Sequence, residues 1–136
     1  MRTTTAAVRR EQAAEAYNAF MEHCPTRHVI AIVSGKWAML LVCAMADGAS
    51  RHGELRRQVA GISQKMLTQT LRELERDGVV SRTVTAAVPV RVDYQLTPLG
   101  ETLASHLAGL KLWAESHIAE ILQAREEYAR RTDVAA

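Results

Sequence analysis

The stretch from Arg51 to Gly78 constrains this chain of 136 residues more than any other part of it. Ser63 is placed to accept a hydrogen bond from a free backbone N–H of the first helical turn, the role of an N-cap. Gly78 follows the last charged turn and supplies the left-handed conformation in which helices commonly end. Between them Leu67, Thr70, Leu71 and Leu74 recur on one helical face. Gln64, Lys65, Thr68, Gln69, Arg72 and Arg76 fall largely on the other. A shorter helix precedes it across a turn containing Gly61. Two helices joined by a short glycine-bearing turn, the second with a polar outer face, make a helix-turn-helix.

The flanking sequence must then cover the inner face. Lys36 to Ala46 is apolar almost all round and belongs at the centre of a core. After Gly78 the period changes to two. Val79–Thr85 is rich in β-branched residues, and Val90, Val92, Tyr94 and Leu96 alternate with Arg91, Asp93 and Gln95. This predicts a hairpin with a short tip at Ala86–Pro89, the wing of a winged helix. Thr97-Pro98 opens a long helix, with Thr97 as N-cap and Pro98 in the first helical position. Its stripe of Leu99, Leu103, Leu107, Leu110, Trp113, Ala114, Ile118, Ile121 and Leu122 outruns the small domain from which it starts. A second protomer is the simplest partner for so long an apolar face. At the other end, Thr5 to Glu22 predicts a helix with a frayed start, stopped by Cys24-Pro25. The tail from Arg125 is expected to fray.

Composition narrows the function classes. Aromatics make up 4% of the chain, too few for a base-stacking binder of single strands. Net charge is +2, but its distribution is uneven: Arg51–Asp93 carries eight Lys/Arg against five Asp/Glu, and Tyr94–Ala136 four against six. The two cysteines do not make a disulfide framework, no signal peptide is evident, and the longest apolar run falls short of the ~20 residues of a membrane helix. A cytoplasmic protein with no membrane association is expected. There is no nucleophile elbow, no phosphate-cradling glycine loop and no obvious carboxylate pair, so no enzyme is expected and no cofactor is implied. His23, Cys24 and His28 lack the fourth ligand and paired spacing of a zinc site.

Cys24-Pro25, Gly35-Lys36-Trp37, Glu54-Leu55, Gly61-Ile62-Ser63, Leu71-Arg72-Glu73-Leu74-Glu75, Asp77-Gly78-Val79-Val80-Ser81-Arg82, Arg91-Val92-Asp93-Tyr94 and Leu96-Thr97 with Gly100 resemble, in order and spacing, the HxlR-type winged-helix transcriptional regulators, a branch of the MarR-like group. The resemblance runs from about residue 24 to residue 114. Ser34, His52 and Val88 depart from the family's usual residues. The resemblance implies a mainly α chain with a small β-hairpin wing, dimeric through its N- and C-terminal helices. Residues 1–23 would form an N-terminal dimerisation helix, 24–97 the DNA-binding domain, and 98–136 the long dimerisation helix with its tail. It implies a homodimer on an inverted-repeat operator in double-stranded DNA, acting as a repressor. In several members the cysteine matching Cys24 senses oxidants or electrophiles.

The candidate DNA-binding residues are Ser63, Gln64, Lys65, Thr68, Gln69 and Arg72 on the second helix and Arg82 and Arg91 on the hairpin. Gln matches the edge of adenine, Lys or Arg that of guanine, and Thr the thymine methyl or a phosphate. On a bland reading this is a solvated helix face, Arg72 pairs with Glu73 or Glu75, and Arg91 pairs with a cross-strand or helix carboxylate. Cys24 is the candidate redox-sensing residue: it precedes a helix start and has His23, Arg27 and His28 close in sequence, the setting that lowers a thiol pKa. The bland alternative is a packed residue in a ligand-responsive regulator. Cys43, inside the apolar helix, reads as core. Two further classes remain open: a winged helix used only for protein–protein contact, and a thiol-dependent enzyme built on Cys24.

Overall fold

A computed structural model describes residues 5–135. The elements run α1 (Ala6–Ala16), α2 (Thr26–Val33), α3 (Lys36–Ala46), α4 (His52–Gln58), α5 (Gln64–Arg76), β1 (Val80–Thr85), β2 (Arg91–Leu96) and α6 (Pro98–Ala135). The strands form an antiparallel hairpin in which Val80 faces Leu96, Arg82 faces Tyr94 and Thr85 faces Arg91. This is a winged helix-turn-helix with a long helix appended.

The core sits on α3. Leu41 and Val42 are buried there with Ala38, Cys43, Ala44 and Met45. Around them pack Leu55 from α4, Leu67, Leu71 and Leu74 from α5, Val80 and Leu96 from the hairpin base, and Ala104 and Leu107 from α6. Burying a leucine side chain stabilises by about 1.5–3 kcal/mol, so the five fully buried leucines, Leu41, Leu55, Leu67, Leu71 and Leu74, dominate this cluster. Thr70 also points inward, and its hydroxyl donates to the Met66 carbonyl at 2.7 Å, so the buried polar group is satisfied.

Both ends of α5 form as its residues dictate. Ser63 Oγ accepts from the Met66 N–H at 3.1 Å. Gly78 has φ +75° and turns the chain into β1. At the start of α6, Thr97 Oγ1 accepts from the Gly100 N–H at 3.0 Å and donates to the Gly78 carbonyl, while the Thr97 N–H donates to the Val79 carbonyl at 3.1 Å. The end of the second helix, the close of the hairpin and the start of the long helix thus meet at one threonine.

The ends of the chain differ from the sequence reading. The helix expected to reach Glu22 stops at Ala16. The Asn18 side chain accepts from the Phe20 N–H at 3.0 Å, and two successive turns follow, Met21 N–H to Asn18 and Cys24 N–H to Met21. Asparagine competes for backbone partners in this way and favours turns. Val8 on α1 and Phe20 beyond it are both exposed. At the other end α6 continues to Ala135 instead of fraying after Arg125. No Gly or Pro interrupts that stretch, and Gln123–Glu127 and Thr132–Tyr128 bonds support it at four-residue spacing. Among the described residues no single helix is long and apolar enough to cross a membrane.

Gly100 packs so closely on the Val79 carbonyl that a Cβ there would overlap it. Gly100→Ala is therefore expected to destabilise the fold by about 1–3 kcal/mol through overpacking, read as a lower midpoint in denaturant unfolding at unchanged slope.

Candidate nucleic-acid interface

The outer face of α5 is built as the sequence predicts. Gln64, Lys65, Gln69, Arg72 and Arg76 are exposed, and Thr68 is half-buried at the edge of the face. With Glu73 these side chains surround one shallow open groove along the helix. Gln69 Nε2 lies 3.4 Å from Glu73 Oε1, so Glu73 is engaged by an amide and not by Arg72. No ion pair involves Lys65, Arg72 or Arg76 among the described residues. The face offers three cations, two amides and a hydroxyl on a rigid scaffold, the donors suited to phosphates and base edges.

Thr68 is positioned from outside its own helix. His52 Nε2 on α4 lies 3.4 Å from Thr68 Oγ1. Sequence reading assigns nothing to His52, because a contact across 16 residues leaves no periodic trace. Arg51 is a second such residue. With Arg57 and Arg91 it rings a shallow depression whose one carboxylate is Glu54, and Glu54 Oε1 is already engaged by the Arg51 N–H at 3.1 Å. The run Arg51…Arg56-Arg57 is the available signal in the sequence. What hides its meaning is the hairpin, which brings Arg91 to the same place.

The two wing arginines stand on opposite strands and are both anchored. Arg82 Nε is 3.3 Å from Glu75, tying β1 to α5. Arg91 Nε is 2.9 Å from Asp93, which also lies 3.7 Å from Arg51 Nε. Arg91 therefore has a carboxylate partner, but on its own strand and neither across the hairpin nor on a helix. Both guanidiniums remain about half exposed, at 50% and 54%. Exposed pairs of this kind contribute ~0–1 kcal/mol, so they orient the arginines without locking them. The wing is also stitched to the helix-turn-helix by backbone: the Tyr94 N–H donates to the Ser50 carbonyl at 2.7 Å.

Cys24 lies apart from this surface, in the turn before α2, and is partly buried. Its Sγ is 3.0 Å from Thr26 Oγ1. The Thr26 hydroxyl, then the Thr26 backbone N–H, hold the thiol pKa below its ordinary value; Arg27 contributes less. The dominant cause is thus hydrogen bonding at the helix start and not the nearby cations that sequence spacing suggests. Arg27 braces the turn instead, donating to the Ala19 and Phe20 carbonyls at 2.8 and 3.0 Å. His28 turns to Asp77 at the end of α5, at 3.5 Å. Cys43 is 7% exposed, and burial pushes its thiol up.

The family model described as HxlR-like helix-turn-helix matches residues 32–122. The chain belongs to that family. It is a transcriptional regulator of the HxlR type, and the match spans α3 to α6, with Cys24 ahead of it. The HTH-type transcriptional regulator YtfH of Escherichia coli is 42% identical over 112 residues, 82% of this chain and 89% of the relative. A solved structure of the regulator ytfH from Salmonella typhimurium is similar with a TM-score of 0.76 at 42% identity, covering 81% of this chain and 98% of that one. The oxidised form of the redox regulator HypR is similar with a TM-score of 0.63 at 44% identity, covering 68% and 96%.

The geometry around the HxlR-type chain's Cys24 has a measurable consequence. A thiol whose pKa is lowered carries more thiolate near pH 7 than an ordinary cysteine of pKa about 8.5. Thr26→Val should slow alkylation of Cys24 by iodoacetamide severalfold at pH 7, with the difference closing as the pH rises through the ordinary thiol range. Cys43 should stay unmodified until the protein unfolds, as mass spectrometry of the labelled peptides would show.

Proposed function

We propose that this HxlR-type regulator acts as a homodimer on an inverted-repeat operator in double-stranded DNA, with α5 entering the major groove of each half-site. The observation that carries this reading is the outer face of α5, where Lys65, Arg72 and Arg76 stand exposed beside Gln64, Thr68 and Gln69 on a helix whose other face is fully buried. Ser63 at the N-cap brings the first turn's N–H groups toward a phosphate. Arg82 and Arg91 would follow the backbone or minor groove beside it, where cations do best. In the protein-contact alternative the outer face of α5 would be apolar, and it is not.

The dimer rests on α6. Beyond the core contacts of Ala104 and Leu107, its stripe stays open to solvent, with Leu110 51%, Trp113 53% and Leu122 51% exposed. A second protomer packed against this stripe would cover it. It would also set two recognition helices about one helical turn of DNA apart.

Cys24 is proposed as the control point. Its pKa is lowered, it sits at a helix start, and HypR, to which the chain is similar, is a redox regulator with an oxidised form. In the proposed switch the Cys24 thiolate attacks the oxidant. A second thiol, either Cys24 of the partner subunit or a small cellular thiol, then closes the disulfide, and the oxidant takes up two electrons and two protons. The role is stoichiometric sensing, not turnover. The sign of regulation is proposed as repression, and the protein as cytoplasmic.

Two experiments test these readings. Lys65→Ala combined with Arg72→Ala should weaken operator binding in a mobility-shift titration, and removing each phosphate-binding cation should flatten the log–log salt dependence by roughly 0.9. An unchanged shift would remove α5 as the reading helix. Diamide should change operator affinity in the native protein and leave Cys24→Ser unaffected; a Cys24→Ser variant that still responds would remove Cys24 from control.

A further inference from the structure

Three guanidinium groups meet beside the outer face of α5, although like charges repel. Arg51 stands ahead of α4, Arg57 in its last turn and Arg91 at the start of β2, and together they ring one open depression. Two contacts hold these elements to one another. The Tyr94 N–H donates to the Ser50 carbonyl at 2.7 Å, fixing β2 against the residue before Arg51. Asp93 then spans two of the arginines, with Oδ2 2.9 Å from Arg91 Nε and Oδ1 3.7 Å from Arg51 Nε.

Both Asp93 contacts use Nε, and among the described residues no hydrogen bond engages the terminal Nη groups of Arg51, Arg57 or Arg91. Asp93 does not line the depression; it lines a separate groove toward the end of α3 and the start of α6. The one carboxylate at the depression is Glu54, whose Oε1 accepts from the Arg51 N–H at 3.1 Å. Arg57 lies over Gly53, where a Cβ would meet its Nη1 at 3.6 Å. The third guanidinium thus folds back along α4 over a residue with no side chain. The depression also borders α5. Arg51 and Gly53 flank His52, whose Nε2 lies 3.4 Å from Thr68 Oγ1, and Thr68 belongs to the groove of Lys65 and Arg72.

We propose that Arg51, Arg57 and Arg91 together seat a single backbone phosphate of double-stranded DNA, and that Asp93 is the positioning residue of that seat. The guanidinium fork matches a phosphate through paired N–H donors. The occupant is a phosphodiester of the duplex and not a free phosphate, because the depression is shallow and continues into the face of α5. That choice rests on the operator-binding reading above. Its measurement does not, because a phosphate contact carries no sequence information and any duplex reports it. An acidic residue close to bound DNA ordinarily repels it. Asp93 has the opposite effect: it holds two cations in place, and its loss weakens binding although a negative charge is removed.

The test titrates a short fluorescein-labelled duplex of random sequence with the full-length protein, reading anisotropy between about 50 and 200 mM NaCl. Arg57→Gln should weaken binding severalfold, and Arg56→Gln, which removes the same charge from the same helix outside the depression, much less. Arg57 is exposed, so its variant decides even where a multiple variant is unstable. Arg51→Gln, Arg57→Gln and Arg91→Gln combined should flatten the log–log salt slope by roughly 0.9, the value for one phosphate, whereas three separate contacts would flatten it by roughly 2.7. Asp93→Asn should weaken binding severalfold in the native chain and strengthen it slightly once Arg51 and Arg91 are glutamine. Equal losses for Arg56→Gln and Arg57→Gln, a slope change near 2.7 or near zero, or tighter or unchanged binding by Asp93→Asn would each overturn the seat. So would inorganic phosphate, substituted for chloride at equal ionic strength, if it erased the Arg57→Gln difference, because the site would then belong to the free ion. Lys65→Ala with Arg72→Ala separates the two readings. If that pair is silent while Arg57→Gln is not, α5 fails and the seat stands; the reverse pattern strikes the seat alone, and a chain that binds no duplex overturns both.

Discussion

Thr97 is the joint of this molecule. Its hydroxyl accepts from the Gly100 N–H and donates to the Gly78 carbonyl, and its own N–H donates to the Val79 carbonyl. The end of α5, the base of the wing and the start of α6 are thereby fixed relative to one another by one side chain and the backbone around it. Gly100 is required beside it, because the long helix approaches the Val79 carbonyl more closely than any Cβ would permit. The arrangement converts a local rule, that helices begin at a residue able to cap them, into a global one. The direction of α6 is set where α5 ends.

Most of the fold is legible in the sequence because its signals are short-range and consistent. Ser63 and Gly78 bound α5, Leu67, Thr70, Leu71 and Leu74 mark its buried face, and Thr97-Pro98 starts α6; in each case propensity, periodicity and capping agree. The sequence misleads where only propensity speaks. Ala6–Ala16 has good helix formers, but Asn18 turns the chain early. Charged residues after Arg125 read as a tail, although the helix continues through them to Ala135.

At the candidate site the legible part is the part carried by one element. The outer face of α5 follows from helical spacing. The partners of those residues do not, because they come from elsewhere in the chain: His52 for Thr68, Glu75 for Arg82, Arg57 and Arg91 near Arg51. Cys24 shows the same limit in its chemistry. Sequence neighbours suggest cations as the cause of a lowered thiol pKa, and the larger cause is the hydroxyl and N–H of Thr26, which only the turned backbone brings to the sulfur.

The length of α6 has a mechanical meaning. At 1.5 Å per residue its 38 residues span ~57 Å. Ala104 and Leu107 pin its first turns to the core, so the free arm begins beyond them and runs ~42 Å to Ala135. A tilt of about 5° at the pinned end carries the far end through ~4 Å. Small movements at its base are thus magnified along the arm, and a rearrangement imposed on the arm is returned, reduced in amplitude and raised in force, to the base, where α5 ends.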